Sequence, residues 1–258
     1  MKEKFLIWDL DDTIITTYPE FEKSNTLCAE IISRELFGDV LQVNDILNRQ
    51  ALIDISLIEK YGFLPPRYEQ SWLTTSAEYF KEHGMMANAA LQQEIKEVVQ
   101  DIYIRKYENV PGSVEVIQQL KNEGYSMVIL TAGDETVQKR RIEQSGVAEF
   151  MDETYVYPYK TPSTLRAVMD RHGHNEYAMI GNSLKSDIYP ALENEIMGIH
   201  VVRDSDYHFD SVKSHRIRLG AKYNFVQEKS NAKPYVGLAW EHEFNGESKA
   251  TITGAGEA

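Results

Sequence analysis

Apolar and polar positions along the chain fall into two grammars. Residues 5–8 (Phe-Leu-Ile-Trp) form a short unbroken apolar run that stops at Asp9, the pattern of a strand buried on both faces of a parallel sheet. From Ile14 to Glu108 the spacing becomes helical. Four stretches, 26–37, 44–61, 66–83 and 88–107, place apolar residues three and four apart, as Leu27, Ile31, Ile32 and Leu36 do in the first. Tyr61-Gly62 and His83-Gly84 supply helix ends, and Pro65-Pro66 a sharp start. No strand pattern lies among them, so a helical segment of roughly ninety residues is expected to follow the first strand.

From Val110-Pro111-Gly112 onward, helix and strand patterns alternate. The spacing predicts a helix over 113–122, a strand over 125–130 running into Thr131-Ala132-Gly133, and a helix over 134–145 stopped by Gly146. A strand over 153–157 follows, then a helix opened by Thr161 as N-cap with Pro162 as its first residue. A strand over 177–180 ends in Gly181-Asn182-Ser183, ahead of a short helix over 187–195 and a last core strand over 199–202. This repetition predicts an α/β fold, a doubly wound, Rossmann-like parallel sheet. The expected division is a core of 1–15 and 108–215, a helical insert of 16–107 and a C-terminal extension of 216–258. In that extension, 235–244 reads as a strand or hairpin arm and 248–258 as a frayed, small and polar tail.

Composition narrows the function classes. The 258 residues, 42% hydrophobic and 26% charged, suit a globular protein with a sizeable core. The net charge of −13 argues against binding a nucleic-acid backbone, which needs a basic face. No apolar stretch approaches the ~20 residues that span a bilayer. Met1 to Lys4 run straight into the first strand, leaving no room for a secretory signal. Cys28 is the only cysteine and falls on an apolar helical face, which excludes an internal disulfide and fits a reducing cytoplasm.

The chemistry is expected at the strand ends. In an open α/β sheet, ligands bind outside the carboxyl ends of the strands. Four such positions carry polar residues: Asp9 with Asp11, Thr131 with the following Ala132, Lys160, and Asn182 with Asp187. Asp9 and Asp11, two residues apart, point the same way if the chain stays extended. Paired carboxylates repel unless a proton or hard cation sits between them, so the natural reading is a magnesium site in which one carboxylate is also a nucleophile. A hydroxyl and a lysine would hold phosphoryl oxygens.

In this order and spacing, Asp9-Leu10-Asp11-Asp12-Thr13, Thr131, Lys160 and Gly181-Asn182-Ser183-Leu184-Lys185-Ser186-Asp187 resemble the four motifs of the haloacid dehalogenase-like hydrolases. The resemblance covers about residues 4–15 and 108–202. It implies Asp9 as nucleophile, Asp11 as general acid/base, Thr131, Ala132 and Lys160 on the phosphoryl group, and Mg2+ held by Asp9, Asp11, Asn182 and Asp187. It also implies that the helical insert is a cap of the family's C1 type. The implied activity is hydrolysis of a small phosphorylated metabolite through an aspartyl-phosphate, by a monomer or homodimer in the cytoplasm. Asn182 departs from the pattern of many members of the family, which have an aspartate there, so the metal site is one charge short. Phosphotransfer to an acceptor hydroxyl, as in a phosphomutase, and non-catalytic binding of a phosphate ligand are the alternatives.

Other polar and aromatic residues are assigned bland roles. Asp12 is expected to point away from the cleft, and His172 and His174 to lie at the surface. Tyr68, Trp72 and Tyr79 are expected in the core of the helical insert.

Overall fold

The computed structural model describes residues 4–173 and 176–202, together with the backbone of 217–224, 235–243 and 247–253. Five strands, β1 (Lys4–Trp8), β2 (Ser126–Ala132), β3 (Glu153–Tyr157), β4 (Glu176–Gly181) and β5 (Met197–His200), form a parallel sheet in the order β3-β2-β1-β4-β5. The first strand is thus the central one. Phe5 pairs with Ser126 on one side and Tyr177 on the other, and Trp8 with Ile129 and Ile180.

Both faces are covered, which is why β1 reads as an unbroken apolar run. Phe5 and Ile7 pack with Val128, Leu130 and Met179 under α8 (Pro162–His172) and α9 (Tyr189–Glu193). Leu6 and Trp8 face the opposite layer, with Ile117 of α6 (Ser113–Asn122) and Ile142 of α7 (Glu135–Ser145). The doubly wound expectation holds.

Several boundaries move. β5 begins two residues earlier than its apolar pattern indicated, because register with β4 sets it: Ala178 pairs with Met197 and Gly181 with His200. It is an edge strand, with Met197 exposed. The helix expected over 187–195 begins as a π-helical turn, Leu184–Ile188, whose first amides are capped by the Ser183 hydroxyl accepting from Ser186 N at 3.0 Å. His172, expected at the surface, is half-buried. Its ring lies 4.5 Å from that of Phe5, and its Nε2 is 2.9 Å from the Tyr155 hydroxyl. His174 lies outside the described residues.

Between β1 and α6 the chain forms α1 (Tyr18–Phe37), α2 (Val43–Ser56), α3 (Ile58–Tyr61), α4 (Pro65–Glu82) and α5 (Ala89–Ile104). The first helix starts eight residues before the apolar spacing indicates. The Asp12 carboxylate accepts from the Thr17 and Tyr18 amides, both at 2.9 Å, and so satisfies donors that a helix start leaves open. The stretch over 44–61 is two helices, separated at Leu57. Trp72 and Cys28 are fully buried, and Tyr79 nearly so, with its hydroxyl donating to Asp45 Oδ2 at 2.5 Å. One continuous apolar cluster runs from Leu6 and Trp8 through Leu10, Ile14 and Ile15 into the insert.

Contacts along the chain separate Met1–Asp210 from Ser211–Ala258. The second unit contains an antiparallel sheet of β6 (Ile217–Asn224), β7 (Tyr235–Glu243) and β8 (Glu247–Thr253), in that order. β7 matches the expected strand. The frayed tail is corrected in part: 248–253 pair with β7, as the β-branched Thr251, Ile252 and Thr253 favour. Residues 254–258 lie outside the described residues.

Insert and sheet meet closely at Gly62. It has φ +62°, and a Cβ there would lie 2.4 Å from the Pro158 carbonyl oxygen. The next residue, Phe63, donates its amide to that same oxygen at 2.7 Å and stacks on Tyr159. Gly62→Ala is therefore expected to lower stability by about 1–3 kcal/mol through strain and overlap. A urea melt with unchanged midpoint would contradict this.

Candidate active site

β1 delivers Asp9 to the cleft. The ladder runs one residue past the strand, with Asp9 N–H donating to Ile180 O at 2.8 Å, so the backbone of Asp9 is fixed by the sheet. Its side chain is buried. Lys160, placed just before α8 by the Thr161 capping box, donates from Nζ to Asp9 Oδ1 at 2.6 Å and also to Asp187 Oδ1. Asp187 is fully buried, and its Oδ2 accepts from the Ser183 amide at 3.0 Å. Burial and the Asp187 charge push Asp9 up to about 7, against the pull of Lys160. For Lys160, burial works against the ammonium, but Asp187 and Asp9 more than offset it and hold its pKa above the ordinary value.

After Asp9 the chain does not stay extended. It folds into a tight turn in which Leu10 O accepts from Ile14 N at 2.8 Å and Asp12 takes φ +58°. The two aspartates consequently have separate partners, which corrects the picture of a side-by-side pair. Asp11 Oδ2 accepts from Gln138 Nε2 at 2.7 Å and Oδ1 from Arg141 Nη1 at 3.0 Å. Gln138 Nε2 also lies 2.7 Å from Thr131 Oγ1 and 3.0 Å from Ala132 O, tying the end of β2 to Asp11. The buried Arg141 guanidinium reaches Ile102 O at the end of α5 at 3.3 Å and lies over the Tyr107 ring.

All seven residues singled out from the sequence (Asp9, Asp11, Thr131, Ala132, Lys160, Asn182 and Asp187) border one cleft of about 340 Å³ between the sheet edge and the helical insert. Asp12 borders it too, contrary to expectation, although its carboxylate is spent on the start of α1. Tyr68, expected in the core, is both buried and at the cleft wall.

Three polar side chains were not singled out from the sequence. Thr13 Oγ1 donates to Asp9 Oδ2 at 3.0 Å and accepts from Asn182 N at 3.0 Å, so it joins two strand ends. Gln138 and Arg141 lie three residues apart on α7, hence on one face. Their only sequence signal was that spacing within a generally charged helix.

Among the described residues no three His, Cys, Asp or Glu side chains converge as a ready metal cage. The donors at the cleft floor nevertheless suit magnesium. Asp9 Oδ2 and Asn182 Oδ1 lie 3.0 and 3.4 Å from the same Thr13 hydroxyl, every donor is oxygen, and Lys160 alone leaves the Asp9–Asp187 pair one positive charge short. Magnesium is commonly held by one or two carboxylates and keeps several waters, so a partial cage is what it requires.

The family model for haloacid dehalogenase-like hydrolases matches residues 4–193, well over half the chain. The chain belongs to the haloacid dehalogenase-like hydrolases. No curated protein sequence matches it. Among solved structures, a haloacid dehalogenase-like family hydrolase from Xanthomonas campestris superposes with a TM-score of 0.68 at 22% identity, over 80% of this chain and 84% of that one. The HAD-hydrolase YfnB from Bacillus subtilis, bound to magnesium, gives 0.52 at 20% identity, over 77% and 88% of the two chains. A predicted phosphoglycolate phosphatase from Haemophilus somnus gives 0.53 at 14% identity, over 78% and 85%. At such identities these likenesses speak to the fold of this haloacid dehalogenase-like hydrolase.

The cleft floor of this family member depends on a missing side chain. A Cβ on Gly181 would lie 2.3 Å from Asp187 Cγ and Oδ2. Gly181 does not have positive φ, and Gly→Ala at a compatible position ordinarily stabilises a protein. Here Gly181→Ala is expected to have the opposite sign and cost about 1–3 kcal/mol, because Asp187 must move off Lys160. A raised melting temperature would refute the assigned packing.

Proposed function

We propose that the chain is a magnesium-dependent phosphomonoester hydrolase that works through an aspartyl-phosphate on Asp9. The observation that carries this reading is the unequal setting of Asp9 and Asp11. Asp9 is sealed against Lys160, whereas Asp11 is held by a hydrogen-bonding fork at the cleft wall. Carboxylates in environments this different take different roles.

In the first step an Asp9 oxygen attacks phosphorus, the ester P–O bond breaks, and Asp11 gives its proton to the leaving oxygen. In the second, water attacks the phosphorus of the aspartyl-phosphate, Asp11 takes the water proton, and the bond from phosphorus to Asp9 breaks. Thr131 and the Lys160 ammonium hold the phosphoryl oxygens, with Ala132 beside them. Lys160 also favours the ionised form of Asp9 that the attack needs. Asp9, the main-chain carbonyl of Asp11, and Asn182 with Asp187 behind it would hold magnesium, which neutralises charge building on the phosphoryl oxygens.

Attack on a halogen-bearing carbon would release a halide that needs no proton, so the acid role of Asp11 in the first step would go unused. That difference favours a phosphate ester, whose leaving oxygen needs a proton, over an alkyl halide as the substrate. The helical segment 16–107 serves in this reading as a cap of the C1 type over a core of 1–15 and 108–215, excluding bulk water. Burial pushes the Cys28 thiol up, so it stays protonated and inert; in this reading the chain works in the cytoplasm as a monomer or homodimer.

The purified chain is expected to hydrolyse p-nitrophenyl phosphate with added Mg2+, to lose activity in EDTA, and to fall to background as Asp9→Asn. Activity surviving both treatments would sink the mechanism. Transfer to an added hydroxyl acceptor in preference to water would identify a phosphotransferase instead. Asn182→Asp restores the missing negative charge and is expected to lower the Mg2+ concentration for half-maximal activity several-fold. An unchanged or higher requirement would remove Asn182 from the metal site.

A further inference from the structure

The half of the cleft lined by the insert carries two amides whose orientations are fixed from behind. Asn25 on α1 accepts at Oδ1 from the Tyr68 hydroxyl at 2.6 Å and from Trp72 Nε1–H at 3.3 Å. An indole N–H can only donate, so the oxygen of Asn25 must face Trp72. Its NH2 group is what remains for the cleft that Asn25 lines. Gln50 on α2 presents the reverse. Its Nε2 donates to Ser71 Oγ at 2.9 Å, and the Ser71 hydroxyl proton is already spent on Tyr68 O at 2.8 Å. Ser71 can only accept from Gln50, so the Gln50 carbonyl is turned to the cleft wall that Gln50 forms. Gln50 is only 4% exposed, and among the described residues no hydrogen bond uses its Oε1 or the Asn25 NH2.

Charge in the same half of the cleft points the same way. Arg67 is the only insert cation lining it, and its guanidinium is paired with buried Asp54 and lies over Phe63. Glu22 adds negative charge at the wall. A substrate carboxylate would therefore meet a neutralised arginine, an acid and the lone pairs of the Gln50 carbonyl.

Resting on the phosphatase reading above, we propose that Asn25 and Gln50 bind an uncharged distal group that both accepts and donates a hydrogen bond. The substrate is then a phosphomonoester of a neutral polyol or nucleoside, not of a hydroxy acid. The shared chemistry is a donor and an acceptor on one uncharged group, which sugar hydroxyls and the lactam edge of a base both offer. A site that pairs such groups discriminates against ligands lacking them, because its own buried amides would be left unsatisfied.

The test measures kcat/KM with Mg2+ for ribose 5-phosphate, uridine 5′-monophosphate and phosphoglycolate, with p-nitrophenyl phosphate as reporter of the chemistry itself. At least one neutral substrate should exceed phosphoglycolate by about tenfold or more, and whichever neutral substrate leads identifies the source of the hydrogen-bonding group. Asn25→Asp keeps an oxygen for Tyr68 and Trp72 but turns an acceptor to the cleft. It should reduce kcat/KM for the preferred neutral substrate about tenfold, chiefly through KM. Gln50→Met, which removes the carbonyl while keeping the shape, should do the same if Asn25→Asp fails to fold. Phosphoglycolate turned over as well as the neutral substrates, or a preference untouched in both variants, would overturn the inference while leaving the phosphatase reading intact. Absence of p-nitrophenyl phosphate hydrolysis would overturn both.

Discussion

A lysine ammonium buried between two carboxylates, Lys160 with Asp9 and Asp187, is the interaction that most of this molecule is arranged to protect. Each of the three is almost wholly removed from water, and an unpaired charge at that depth would be strongly destabilising. Each is fixed by a different element: Asp9 by the last ladder bond of the central strand, Lys160 by the capping box of α8, and Asp187 by a π-helical turn that fits because residue 181 has no side chain. The sheet order, with β1 between β2 and β4, is what brings those three elements to one point. Two negative charges against one positive leave the floor of the cleft suited to a further cation.

Around that floor, geometry separates residues that look equivalent in the chain. Asp9, Asp11 and Asp12 lie within four positions, yet one is sealed in the cleft, one is held by Gln138 and Arg141, and one caps α1. The left-handed backbone at Asp12 is the device that turns the chain between them. Because Arg141 also reaches Ile102 at the end of α5, the carboxylate of Asp11 is linked through a single side chain to the helical insert. The insert's own wall is built from polar side chains held by a second layer: Asn25 by Tyr68 and Trp72, Gln50 by Ser71.

Much of the frame was legible in the sequence. The short apolar runs of β1, β2 and β4 and the N-cap at Thr161 are local signals, because burial on both faces and helix capping each act within a few residues. The four strand-end motifs could be aligned on one edge because a parallel, doubly wound sheet offers only one edge for them. What went astray depended on partners outside the segment itself. The position of β5 was set by register with β4, the early start of α1 by the Asp12 carboxylate, and β8 by pairing with β7.

By itself the sequence determined the class of fold and the residue types able to do chemistry at its edge, since periodicity and strand-end position are properties of short segments. Only the tertiary structure decided how the two aspartates differ, that Thr13, Gln138 and Arg141 belong to the site, and which end of Asn25 and Gln50 the cleft meets. Those outcomes rest on hydrogen bonds between residues up to 169 positions apart. No local pattern encodes them, because each forms only when the packing of sheet or helices brings its two ends together.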